Sequence, residues 1–488
     1  MSPNIRQTDN FKEKVRSNFY KMWCYYGCAI IWIIFGLYVS QTELFSNILI
    51  SKITEALSLR EDSEIYKVWK SPIQLTFTCH FFNVTNPDEV MSGKIKLNEN
   101  VDDAMDEITY TTKSMYSFNK DLSVKLSKHD KITILNPAYI GTMSMASIIL
   151  SSLPPEYMEK YGNNIPKLFP NRSSIFLKAN PNDLLFNGIK VSCNLRKFPE
   201  LDVICKTLDS NLPQALRKTD KQDDYLLSIF QRMNATFRGP FSVNRGVNDI
   251  TRLGDITSYM GKRKQTMWNS EDCNIIRGTD SIIWAPLIKP LPFVSTFVPD
   301  LCRTIEADYK DEISVRGLIG SRFVMKERTW FLNTTQCYCL LENKIPKCLP
   351  QGLIDVWECQ KLPVILSEPH FLHGDPQLLK YAGGLNPDER LHETYIIIEP
   401  YTGTPLSGQK RIQLNLYLEK QSVELLSNVS EGYFPLMWCG NFIMLCMYLF
   451  VFFKNESMIN KSKKYNGIIF GNLRDQKINS PRRIHSCA

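Results

Sequence analysis

Two groups of residues in this 488-residue chain are of types that could do chemistry. Cys337, Cys339, Cys348 and Cys359 bring four thiols together in the sequence, as a zinc site would, and His370, His373 and His392 offer imidazoles that could ligate a metal or move a proton. The cysteine spacing argues against zinc, because zinc knuckles use C-x2-C and this chain has C-x-C at 337–339. The histidines sit in Glu368-Pro-His-Phe371 and Leu391-His-Glu-Thr394, which read as loops between strands, where imidazoles serve as hydrogen-bonding struts. The chain contains no G-x-S-x-G, H-E-x-x-H, Walker loop or C-x-x-C pair. The sequence thus predicts a protein that is not an enzyme and has no metal centre or cofactor.

The elements that must hold these residues are mostly strands. From Cys359 to Pro405 short apolar runs alternate with Pro, Gly and Asn, which is the pattern of strands joined by tight loops. Ile412, Leu414, Leu416 and Leu418 then alternate with Gln413, Asn415, Tyr417 and Glu419, a period of two that predicts one face in a core and the other toward water. A further strand is predicted at Leu75, Phe77, Cys79 and Phe81. Helices are predicted after residue 44, through Leu44, Ile48, Ile50, Ile53 and Leu57, and again across 140–190, with a start at Pro154-Pro155 and a short capped helix at Asn182-Asp183.

Two charge-free runs, Met22–Val39 and Phe434–Phe453, are long enough as helices to cross a bilayer's hydrocarbon core of about 30 Å. Residues 1–21 carry net +3 and residues 454–488 net +6, which leaves about −1 of the chain's +8 for everything between. Basic loops stay in the cytoplasm, so both tails are predicted there, with a large loop outside. The expected layout is a cytoplasmic tail at 1–21, a span at 22–40, an extracellular domain at 41–433, a second span at 434–453 and a cytoplasmic tail at 454–488. The basic charge belongs to the tails and suits anionic lipid headgroups better than nucleic acid. Five glycosylation sequons, at Asn83, Asn171, Asn234, Asn333 and Asn428, fall in the predicted outer loop. Export to that side favours disulfides over held thiols.

The words "LPVILSEPHFLHGDP", "GLNPDERLHETYIIIEPYTGTPL" and "KRIQLNLYL", with "FFNVTNPDEV" upstream, resemble the class B scavenger receptor family, which includes fatty-acid translocase, lysosomal integral membrane proteins and insect sensory neuron membrane proteins. "LLFNGIKVSCN", "VICK" and "SVNRGVNDI" look most like the sensory neuron branch. The resemblance implies an α+β ectodomain with a large antiparallel β-barrel-like core and a helical apex bundle, held by two transmembrane helices. It also implies the disulfides Cys273–Cys337, Cys302–Cys359 and Cys339–Cys348, with Cys193–Cys205 as a bridge of the sensory branch, which leaves Cys79 as a lone buried thiol. Lys167, Arg172 and Lys178 are the basic residues at the apex, where a cavity mouth would receive a ligand's carboxylate. In two places the chain departs from the family pattern: Asn98–Glu107 replaces a Gly-Pro-Tyr turn, and Tyr433–Trp438 runs straight into apolar residues.

The function implied is a plasma-membrane receptor, in a sensory dendrite or cilium, that takes lipophilic, fatty-acid-derived pheromones from an extracellular carrier. It would pass them through an ectodomain cavity to the membrane or to an odorant receptor complex. The alternative is a scavenger receptor for lipoprotein, fatty acid or carotenoid in non-neural tissue. A covered apolar route spares a long alkyl chain about 0.8 kcal/mol of hydration cost per CH2. A two-span channel subunit fits less well, because Asn441 alone interrupts the second apolar run.

Overall fold

The computed structural model describes residues 19–443, apart from 24, 37, 39–43, 72, 82–87, 119–130, 151–153, 195, 211, 213–214, 221–222, 232, 287–290, 326, 331–337 and 343–344. The chain divides into two units, residues 1–58 and 59–488. In the first, the helix Phe19–Gly36 is long and apolar enough to cross a membrane, and none of it is buried in the protein. It covers most of the span expected at 22–40. A second helix follows at Leu44–Leu57, where the spacing of Leu and Ile predicts one.

The second unit is built on one antiparallel sheet of 13 strands. From Ile73–Phe81 the strands Asp88–Asp102, Glu107–Phe118, Phe237–Asn244 and Ile256–Tyr259 follow side by side in chain order. From Gly432–Ile443 the order runs backward through Pro405–Leu418, Tyr395–Ile398, Leu318–Val324, Arg303–Val315 and Phe293–Val298. The halves join where Ile73–Phe81 pairs with Gly432–Ile443, so the first and last strands of the sheet are neighbours.

That junction corrects two expectations. Residues 434–443, the first half of the expected second span, are not a membrane helix but sheet, paired on both sides. A strand covered on both faces reads as an unbroken apolar run, and periodicity cannot tell it from a membrane segment. The apolar residues that remain, 444–453, lie outside the described residues. Cys79 is not a lone thiol. It stands directly opposite Cys439 in the register, with Cα atoms 4.1 Å apart, and the two are bonded.

The sheet is also not a closed barrel. Its edge strands, Ile256–Tyr259 and Phe293–Val298, do not pair with each other; Thr279 lies between them, with its N–H donating to Ser295 O and its carbonyl accepting from Phe297 N–H. Over Asn98–Glu107, where the family turn is missing, the chain makes a long hairpin. Asp106 there takes a left-handed φ of 53°, and its carboxylate accepts the N–H groups of Val247 and Asn248.

Residues 140–190 are only partly helical. Helices at Pro137–Leu150 and Pro155–Gly162 give way to a strand at Phe176–Ala179 and a single wide turn at Asp183–Asn187. With the helix Asp202–Ser210 and a three-stranded sheet, they share one core with Leu416, Leu418, Leu436 and Met437 of the large sheet.

Candidate functional site

The helix Pro137–Leu150 contains no charged residue. Asn136 caps it, its Oδ1 accepting the N–H groups of Ala138 and Tyr139, and Pro137 occupies the first turn, where no N–H is missed. A helix with apolar residues on most of its faces is covered on most of them, and here Ile148 is left exposed. One face, with Tyr139, Met143, Ala146 and Leu150, packs into the core. The other, with Ala138, Gly141, Thr142 and Met145, looks onto a cavity of about 350 Å³, within the range of small-molecule sites at roughly 300–1,000 Å³.

The facing wall is the Pro405–Leu418 strand, which contributes Lys410, Ile412, Leu414 and Leu416, with Leu436 and Cys439 from the neighbouring strand. Disulfides hold this wall. Cys439 is itself part of it and is bonded to Cys79. Cys302–Cys359 ties together the segments that supply Asp300, Leu301, Val356 and Gln360. Cys193–Cys205 fixes the helix whose next turn carries Leu208 into the cavity. Such bridges typically contribute about 2–4 kcal/mol each, and here they fasten the shell around an empty space.

Few polar groups reach the cavity. Thr142 donates its hydroxyl to Ala138 O, and Gln360 donates to Asp300 O. The Asp300 carboxylate pairs with Arg238. Lys410 also borders the cavity, and desolvation by its neighbours pushes its ammonium below the usual lysine range against the opposing pull of Asp300. Its side chain is exposed and is among those at the cavity's border. The sequence carries a signal for this residue: the period of two, followed back one step from Ile412, puts Lys410 on the same face as Ile412 and Leu414.

The other face of this strand is turned to water at Tyr417 and Glu419, as the alternation predicts, but not at its start. Gln413 and Asn415 are fully buried, because the segment 365–374 covers them. Asn415 donates to Ile365 O and Ser367 Oγ and accepts from Gln413, whose Oε1 takes the His370 N–H at 2.7 Å. Beside them the fully buried Glu368 accepts from His373 Nδ1 and Thr394 N, each at 2.7 Å. Burial raises its pKa while both bonds oppose the rise. The His370 and His392 rings stack at 4.4 Å, and their Nδ1 atoms accept backbone N–H groups from Asn386 and Asp388. His80 stacks on Trp438 at 4.0 Å. Burial holds His80 and His392 down to about 4. His373, Glu389 and Glu393 approach one another as metal ligands would, but the Lys310 ammonium bonds both glutamates at 2.8–3.0 Å and supplies the positive charge there.

Lys167, Arg172 and Lys178 do not line the cavity. Lys167 pairs with Glu200 at 3.0 Å, and it and Arg172 both approach the Phe198 ring; Lys178 is exposed on the strand Phe176–Ala179. Cys339 is bonded to Cys348 away from the cavity. Cys273 is disulfide-bonded, and its expected partner Cys337 lies outside the described residues, as do Asn83 and Asn333. Asn171 and Asn428 are exposed, whereas Asn234 is half-buried, bonded to the backbone N–H and carbonyl of Tyr116.

The CD36 family model matches residues 27–470. Sensory neuron membrane protein 2 of Heliothis virescens is 28% identical over 440 residues, 85% of this chain and 84% of that protein. Sensory neuron membrane protein 1 of Helicoverpa armigera is 30% identical over 435 residues, 84% and 80% of the two chains, and that of Apis mellifera 29% over 433 residues, 84% and 81%.

Proposed function

The chain belongs to the CD36 family, and from that premise we propose that it is a plasma-membrane receptor for lipophilic, fatty-acid-derived ligands such as pheromones. The ligand is taken into the cavity between the Pro137–Leu150 helix and the Pro405–Leu418 strand and passed to the membrane or to an odorant receptor complex in chemosensory neurons. The observation that carries this reading is the cavity itself: an apolar space with a wall fastened by disulfides, opposite a helix with no charged residue. An alkyl chain moving from a carrier protein into that space stays out of water, at about 0.8 kcal/mol per CH2. Absence of a catalytic constellation in the sequence fits a receptor rather than an enzyme.

The sensory assignment rests on relatives named sensory neuron membrane proteins. The apolar helix Phe19–Gly36 is the proposed membrane tether. The excess of Lys and Arg in both tails supports a two-pass arrangement with cytoplasmic termini. Glycans at Asn83, Asn171, Asn234, Asn333 and Asn428 and a ligand entry near Lys167, Arg172 and Lys178 belong to the same proposal. Neurons lacking the protein are expected to lose or slow their response to long-chain pheromones while responding normally to small, water-soluble odorants. An unchanged pheromone response would remove the sensory role.

A further inference from the structure

The first and last strands of the large sheet are antiparallel neighbours, so the chain enters the sheet at Ile73 and leaves it at Ile443 from the same end. In sequence, that end leads back to the apolar helix Phe19–Gly36 and on to the apolar residues 444–453. It is therefore the end that a membrane-tethered chain turns toward the bilayer. The register carries this end across four more strands. Ile443 stands opposite Gly408, Gly408 opposite Ile396, Ile396 opposite Phe323 and Phe323 opposite Tyr309. Past that row the hairpin of Arg303–Val315 and Leu318–Val324 runs on as a two-stranded ribbon, because Phe293–Val298 pairs only with residues 303–308 and Tyr395–Ile398 only with 321–324 on that side. At about 3.3 Å per residue, the turn at Arg316-Gly317 stands roughly 20 Å beyond the row.

Turns in water favour polar residues, and the other hairpin at this end follows that rule. Its tip, Asp102–Glu107, is acidic and fastened: Arg245 pairs with Asp103, and Asp106 accepts from Val247 and Asn248. The tip near Arg316 does the reverse. Ile313, Val315 and Leu318 share one face by register, with Ile313 and Leu318 exposed, and Ile319 stands on the other face at 61% exposure. Behind them lie the Asp311–Arg322 pair, at 2.7 Å, and Lys310, bonded to Glu389 and Glu393. The turn after Tyr395–Ile398 comes off the same end and carries Tyr401, at 70% the most exposed aromatic of the second unit among the described residues. An apolar tip with an aromatic beside it and charges behind it has the layering of a segment at a membrane interface.

We propose that this tip docks on the lipid bilayer that carries the chain, with Ile313, Leu318 and Ile319 entering the boundary between headgroups and acyl chains and Tyr401 at headgroup level. Arg316, in the turn, has the length to keep its charge among the phosphates. The inference rests on the membrane attachment proposed above and adds a contact surface to it, one that fixes how the sheet and its cavity wall are held against the membrane.

The test places photoreactive p-benzoylphenylalanine at Ile319 of the full-length protein in phosphatidylcholine nanodiscs. A second protein carries it at Glu419, exposed just past the opposite end of the Pro405–Leu418 strand. Mass spectrometry after irradiation reads the lipid adduct. The adduct is expected at 319 and not at 419, and Leu318→Asp should reduce it severalfold while the unfolding midpoint stays near that of wild type. Equal adduct at the two positions, or an adduct that Leu318→Asp leaves unchanged, overturns the inference while the membrane attachment stands. A crosslink at 319 to a second copy of the protein in place of lipid also overturns it, in favour of self-association. If the protein does not enter nanodiscs, the membrane attachment falls and the inference falls with it.

Discussion

On one face of the Pro405–Leu418 strand, Ile412 and Leu414 look onto a cavity; on the other, Gln413 and Asn415 are buried against Ser367, Glu368 and His370 with their amides bonded. The apolar face borders a cavity, whereas the polar one is closely packed and bonded. A strand bordering a cavity has few packing partners on that side, so it must be held from behind. The amide and carboxylate bonds from segment 365–374 do that, together with the bridge between Cys79 and Cys439.

The polar face is therefore where the largest stability effect is expected. Glu368→Ala strands the His373 imidazole and the Thr394 N–H in a buried site and should cost about 3 kcal/mol. Denaturant unfolding of the full-length protein measures it, and a loss under about 1 kcal/mol would mean that the network is not the foundation argued here.

A smaller, graded effect should come from acid. His80 and His392 are held down to about 4 from 6.5. Above pH 6.5 both are neutral whether folded or unfolded, and they contribute no pH dependence. As pH falls below 6.5 the unfolded chain binds protons that the folded chain refuses, so stability declines between pH 6.5 and 4 and levels off below. Replacing both with Phe should flatten that slope, as followed by melting temperature across the window.

Much of this arrangement was legible from residue types. The alternation at 412–418 marks a strand, and the spacing from Leu44 to Leu57 marks a helix. Alternation reports contrast between faces, not location, so Gln413 and Asn415 read as water-facing when a covering loop had buried them. The run beginning at Phe434 is apolar because its strand is covered by neighbours; length and hydropathy alone give the same signal for a membrane helix. Misplacing it hid the partner of Cys79, since Cys439 then lay in the expected membrane. The cavity left no trace in composition, because a void belongs to no residue. Its charged member, Lys410, was one step of the period away from Ile412.

The most direct measurement is the lipid content of purified full-length protein, by mass spectrometry of an organic extract, for wild type and for Leu414→Trp, whose indole occupies the void. Wild type should carry roughly one long-chain molecule per protein, as one pocket of this size allows, and the variant should carry little while unfolding within about 1 kcal/mol of wild type. Equal lipid in both proteins would contradict the cavity as the place where the ligand is held.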